Sequence, residues 1–264
     1  MSTNIEWTDQ TDNIIRVKGG GWWCHKVSEG CKNCYSEKLN QNSFFGGNKL
    51  PYSGLAPELE LDTETIRRWG FQRKSKNHFV ASMTDVFGEW VPRHWQHEML
   101  DGMFAAPKQT FQILTKRPEI MLSSMDEWLS RRGLDKLPSN IWVGTSTENQ
   151  QTADKRIPIL LQIPAVVRFL SCEPLLGEID LKIIPNWVIC GGESGPNSRP
   201  CHIEWINSIV QQCQQSNTKV FVKQLGANAK FGGQQFQTRD KKGGDIEEFP
   251  EQLRIREFPL LVNE

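Results

Sequence analysis

Cys24, Cys31 and Cys34 fall in one short stretch, GGGWWCHKVSEGCKNCY, residues 19–35. The last two form a CxxC pair, and Cys24 stands ahead of it across a wider gap. The chain carries seven cysteines, an odd number spread over a long sequence without a secretory signal. That pattern argues against a disulfide scaffold and turns clustered thiols toward metal or redox chemistry. A structural zinc site takes four ligands, often as two CxxC pairs, and no second pair exists here. His25, Cys201 and His202 are candidates for a fourth ligand, and their spacing nominates none of them. A four-iron cluster that keeps one iron open takes three protein thiolates. S-adenosylmethionine can fill the open corner through its amino and carboxylate groups, and an electron from the cluster then yields a 5′-deoxyadenosyl radical.

A second set of chemistry-bearing residues follows short apolar runs. Thr84 and Asp85 come after HFVASM, while Thr115, Lys116 and Arg117 close TFQILT. Ser146, Glu148 and Asn149 follow NIWVGTS, and Ser171 and Glu173 follow AVVRFLS. Gly191, Gly192, Glu193 and Ser194 end NWVICGG, and Lys223 and Gln224 lie in KVFVKQLG. Singly, such residues read as helix caps, as for Thr115 and Ser146. Together they read as the polar lining of a cavity. Asp85, Ser146, Glu173, Gly191, Gly192 and Glu193 are the candidates for holding a cofactor. Lys116, Arg117, Lys223 and Gln224 suit a substrate carboxylate or phosphate.

The elements that must position these groups are legible as alternation. The six runs are apolar and β-branched on both parities, as in strands covered on both faces. Between them lie stretches with apolar residues three or four apart, which predict helices over 92–107, 117–133, 148–164 and 203–217. Pro118 suits a first helical turn and Gly133 a C-terminal cap. The expected fold is an α/β complete or partial TIM-like barrel of parallel strands, with NIIRVKG (residues 13–19) as a seventh strand. Residues 1–264 form one such barrel domain. Residues 36–77 read as an irregular insertion with one helix near TETIRRWG, and 227–264 as a polar, glycine-rich tail that wraps the barrel or covers its mouth.

The 31 basic and 31 acidic residues cancel, so no global field selects nucleic acid or membrane. No stretch approaches the roughly 18 apolar residues of a membrane span, and the expected location is cytoplasmic. The most basic local stretch holds Arg67, Arg68, Arg73, Lys74 and Lys76 around Trp69 and Phe71. It reads as a solvated helix face, or as a surface for nucleic-acid backbones and bases. His94 and His97 fall in a helical stretch as surface or core residues. No nucleotide-binding glycine fingerprint, HExxH or serine-triad pattern is present.

The motifs IEWTD, KVSEGCKNCY, SMTDVFGEW, ILTKRPE, VGTSTEN, FLSCEPLLGEID, ICGGESGPNSRP, FVKQLG and KGGDIEEFPEQLRIREFP span nearly the whole chain. In that order they resemble the phage protein gp thirty-seven/gp sixty-eight family, a three-Cys-motif domain of unknown function. That family is similar to radical S-adenosylmethionine enzymes in its cysteine motif and partial barrel. The resemblance implies a [4Fe-4S] cluster on Cys24, Cys31 and Cys34 and S-adenosylmethionine as cofactor. The expected activity is radical chemistry on an unidentified substrate, with nucleic acid or nucleotide as the substrate class and an electron donor that the sequence does not name. The usual radical-enzyme spacing, CxxxCxxC, differs from the wider first gap here. The alternative is a zinc-stabilised, phage-derived binding protein without turnover.

Overall fold

The computed structural model describes residues 3–259. Its strands are β1 (Gln10–Asp12), β2 (Ile15–Val17), β3 (Leu59–Leu61), β4 (Asn77–Val80), β5 (Thr110–Thr115), β6 (Ile141–Ser146), β7 (Arg168–Cys172), β8 (Trp187–Gly191), β9 (Cys201–His202), β10 (Lys219–Gln224), β11 (Ala229–Phe231) and β12 (Gln234–Gln235). The helices are α1 (Tyr35–Asn40), α2 (Thr63–Trp69), α3 (Arg93–Phe104), α4 (Pro118–Arg132), α5 (Gln150–Leu160) and α6 (Ile203–Gln215). Seven strands form a sheet in the order β1-β4-β5-β6-β7-β8-β10. Its pairings β1–β4, β4–β5, β7–β8 and β8–β10 are parallel. This is the expected α/β class, with seven strands in the sheet among the described residues against the eight of a complete barrel.

All six apolar runs supply strands of this sheet. The seventh is Gln10–Asp12 instead of the expected 13–19 run. Ile15–Val17 pairs antiparallel with β3 of the insertion, whereas Gln10 and Asp12 face His78 and Val80 across β4. The chain divides into two compact units, Met1–Val143 with Gln162–Val166, and Gly144–Leu161 with Val167–Glu264.

In the first unit, α2 starts at Asp62, whose Oδ1 accepts from the Thr65 N–H at 2.9 Å. The helix buries Ile66 and Trp69. It packs on α3 closely because Gly102 has no side chain, and a Cβ there would lie 2.2 Å from Ile66 Cγ2. Helix α4 carries Pro118 in its first turn and ends on Gly133 at φ 63°, as its sequence predicts. The insertion holds α1 and β3 besides the expected α2, and its remainder follows no regular element except a turn at Ser43–Phe45.

In the second unit, α5 begins with a capping box between Asn149 and Thr152. Helix α6 buries Ile203, Ile206, Ile209, Val210 and Cys213, one apolar stripe at helical spacing. The tail is more ordered than its composition suggests, because β9, β11 and β12 form a small sheet. Further on, Val222 N donates to Ile255 O at 2.9 Å and Glu257 N to Val220 O at 3.0 Å. These bonds lay the segment alongside β10 and satisfy backbone groups that an edge strand leaves open.

One buried polar network explains why so polar a segment as β1 is a strand. Asp12 Oδ2 accepts from His78 Nδ1 at 2.6 Å and Trp69 Nε1 at 2.8 Å, and Oδ1 accepts from Gln10 Nε2 at 3.1 Å. His78 Nε2 donates to Gln109 Oε1 at 3.1 Å. Burial pushes the Asp12 carboxyl up, but the hydrogen bonds from His78, Trp69 and Gln10 and the charge on His78 outweigh it, holding the group below its ordinary value. A carboxylate with a depressed folded-state pKa contributes stability above its unfolded pKa, and loses it as pH falls through the folded value. Asp12→Asn is therefore expected to cost about 3–5 kcal/mol at pH 7. The gap to wild type should narrow below about pH 4. Urea titrations at pH 7 and pH 3 measure it, and a gap independent of pH contradicts the assignment.

Candidate functional site

In the first unit the three thiols sit on a loop tied down at several points. Gly19, Gly20 and Gly21 have φ of 90°, 116° and 75°, a left-handed run that turns the chain out of β2. Asn40 is fully buried at the end of α1. Its Oδ1 accepts from Trp22 N at 3.0 Å, and its Nδ2 donates to Asn48 Oδ1 at 2.7 Å. Asn48 in turn donates to the carbonyls of Gly20 and Trp22 at 3.2 and 3.3 Å. These two amides join the segment before Cys24 to the helix that follows Cys34.

The same loop is fastened to the end of β4. Thr84 Oγ1 donates to Trp23 O at 2.6 Å, Tyr35 OH to Ser82 O at 2.7 Å and Tyr52 OH to Met83 O at 2.8 Å. Trp23 and Tyr35 are the chain neighbours of Cys24 and Cys34, so the clamps act next to the thiols.

Cys24, Cys31 and Cys34 are half-buried residues, the Cys24 thiol being the enclosed part of its residue, while Cys172, Cys190, Cys201 and Cys213 are buried. Cys24 Sγ faces the His25 carbonyl at 3.9 Å, Cys31 Sγ faces Ser28 Oγ at 3.9 Å and Cys34 Sγ faces Ser36 Oγ at 3.0 Å. Burial, then Asp85 and the neighbouring thiols, push the Cys24 thiol up to about 12, with Arg117 opposing. Cys31 and Cys34 are thus within electrostatic reach of Cys24. Burial alone accounts for most of the rise to about 12 at Cys172, Cys201 and Cys213, which suits inert core residues.

Arg117 and Asp85 stand beside Cys24. Arg117 is 3% exposed. It donates from Nη1 to Asp85 Oδ2 at 3.1 Å and from Nη2 to His25 O at 3.1 Å, and lies over the Trp90 ring at 4.6 Å. Trp90 in turn meets Trp23 edge-on at 5.0 Å. Asp85 also accepts from Thr115 Oγ1 at 2.7 Å, Phe87 N at 3.0 Å and Lys116 N at 3.2 Å. Its carboxylate is thereby filled by protein donors, and its role here is to fix Arg117. Thr115, expected as a cap, instead bridges Asp85 and the Arg117 N–H, which donates to it at 2.9 Å.

Among the described residues, the buried Arg117 Nε and Trp90 Nε1 have no acceptor. Orphaned donors of this kind ask for a water or a bound acceptor. Among the described residues no three His, Cys, Asp or Glu side chains form a ready-made metal cage. The donor set still fits an iron–sulfur cluster chemically. Three thiols share one loop, beside a cation and N–H groups suited to sulfide or thiolate sulfur.

The second unit brings together Ser146, Glu173, Gly191, Gly192, Glu193, Lys223 and Gln224 at or beside its strand ends. Most are engaged by the protein itself. Arg199 grips Glu193 through Nη2 at 2.6 Å and Nε at 3.1 Å. Arg156 Nη1 donates to Ser146 O at 2.8 Å and Glu148 Oε2 at 2.9 Å. Gln224 Nε2 donates to Gly192 O at 2.7 Å. The glycine pair has a packing role, since a Cβ on Gly192 would lie 2.3 Å from Leu225 O and one on Gly191 2.8 Å from Gln224 O. Glu173 and Lys223 differ: they pair at 3.1 Å while both stay partly exposed. Their opposite charges match the ammonium and carboxylate of an amino-acid ligand.

Sequence reasoning missed Trp90 and the Asn40–Asn48 pair. SMTDVFGEW contains the tryptophan, but only the fold brings Arg117 over it. Cys201 and His202, candidates for a fourth ligand, belong to β9 in the second unit, while His25 stacks on Trp23 at 6.1 Å. His94 and His97 lie on α3.

The chain belongs to the family described as protein of unknown function DUF5131, whose sequence profile matches residues 2–250. No curated protein and no solved structure matches it.

Proposed function

From the thiol loop, we propose that the protein is an iron–sulfur enzyme of the radical S-adenosylmethionine type, with Cys24, Cys31 and Cys34 as ligands of a [4Fe-4S] cluster. The observation that carries the reading is the trio of thiols on one loop beside buried donors that lack an acceptor among the described residues. A cluster so held supplies the electron for reductive cleavage of bound S-adenosylmethionine. The chain's own residues do the rest. Thr84, Tyr35 and Tyr52 hold the loop against the end of β4, and Trp23 and Trp90 shield the Cys24 side from water. Cys→Ser variants test the ligands. After anaerobic reconstitution the wild type should hold about four irons and four sulfides per chain, and Cys24→Ser, Cys31→Ser or Cys34→Ser should lose most of them. Undiminished iron in any one variant removes that cysteine from the ligand set, and stoichiometric zinc without iron favours a structural clamp.

Single-stranded nucleic acid is the substrate class that the neighbouring surface supports. The loop after Cys34 presents Phe44 and Phe45, 89% and 55% exposed, in edge contact at 5.5 Å. Lys32 before Cys34, Lys38 on α1 and Lys49 beyond the aromatics are exposed and, among the described residues, have no carboxylate partner. Exposed aromatics for stacking with cations for phosphates are the usual means of binding single strands. The basic stretch read from the sequence serves less well, because Trp69 is buried and Arg67 pairs with Glu64 at 2.9 Å. In fluorescence anisotropy, a labelled oligothymidylate should bind with an affinity that falls with salt. Phe44→Ala with Phe45→Ala should weaken it roughly tenfold or more. Absence of binding at low salt rules the surface out.

A further inference from the structure

We infer that Arg117 and Asp85 are positioning residues of opposite effect that set how easily the group held by Cys24 is reduced. The inference rests on the iron–sulfur reading and assigns Arg117 a role other than substrate binding. Its geometric basis is the His25 carbonyl, which takes Arg117 Nη2 at 3.1 Å and faces the Cys24 sulfur at 3.9 Å. The guanidinium and the sulfur therefore meet at one oxygen. Arg117 cannot move away to let water intervene: Asp85 holds Nη1, Trp90 lies against its face, and the side chain is buried. Its Nε–H, still without an acceptor, is available to sulfur.

Reduction of a cluster adds one electron and hence one negative charge. A fixed cation nearby eases that step and a fixed anion resists it, with little screening at a buried position. Arg117 meets the Cys24 sulfur at the His25 carbonyl, and Asp85 stands 3.1 Å from Arg117 Nη1 with the opposite charge. In the intact protein they largely offset each other, so removing either leaves the other uncompensated. A purely structural role for the pair predicts damage of the same kind from both substitutions, whereas an electrostatic role predicts shifts of opposite sign.

The test is a dithionite redox titration of the reconstituted full-length protein, followed by electron paramagnetic resonance. Asp85→Asn should shift the reduction equilibrium about tenfold toward the reduced cluster, 59 mV more positive for a one-electron couple. Arg117→Gln should shift it about tenfold the other way, and Arg117→Lys, which keeps the charge, should stay within about threefold of wild type. If Arg117→Gln takes up no iron, the sign of the Asp85→Asn shift decides alone. Equal potentials, or shifts of the same sign in loaded proteins, overturn the inference while leaving the cluster intact. Absence of a cluster in the wild type overturns the iron–sulfur reading and this inference with it.

Discussion

A buried guanidinium must find acceptors inside the protein or cost several kcal/mol, and Arg117 finds them on two segments far apart in sequence. Asp85 comes from the loop that leaves β4, and the His25 carbonyl comes from the cysteine loop. Satisfying one cation thus fastens the thiols to the strand ends. Other features follow from this constraint. Thr115 and the Lys116 N–H complete the Asp85 carboxylate, Trp90 covers the guanidinium, and Trp23 packs on Trp90 next to Cys24. The Asn40–Asn48 hub then sets how α1, with Cys34 at its start, meets the segment before Cys24.

The second unit solves its buried charges differently. Glu193 and Glu148 each have an arginine partner, Arg199 and Arg156, which leaves them poor ligands for anything else. Gly191 and Gly192 are small because the chain at 224–226 runs against them. Among the strand-end candidates, Glu173 and Lys223 pair while both side chains keep some exposure, which suits them to a zwitterion.

Much of this was legible in the sequence. β-Branched runs such as NIWVGTS and NWVICGG announce strands because a strand buried on both faces needs apolar residues on both parities, and Pro118 and Gly133 mark α4 through backbone geometry that only they favour. Strand β1 was not legible, since Gln10 and Asp12 look like loop residues until His78 and Trp69, more than fifty positions away, satisfy them. The cysteines stood out by type and spacing. Their supports did not, because Asn40, Asn48 and Trp90 gain their roles from backbone groups and neighbours that only the fold assembles. Trp69 shows the converse: beside arginines it reads as a stacking platform, yet it closes the core over Asp12.

Three thiols holding a four-iron cluster would leave one open corner for S-adenosylmethionine. Electron paramagnetic resonance of the anaerobically reconstituted, dithionite-reduced protein tests it most directly, recorded with and without S-adenosylmethionine. The expected spectrum is that of a reduced four-iron cluster that changes when S-adenosylmethionine is added. A reduced protein with no such signal and zinc bound in place of iron contradicts it.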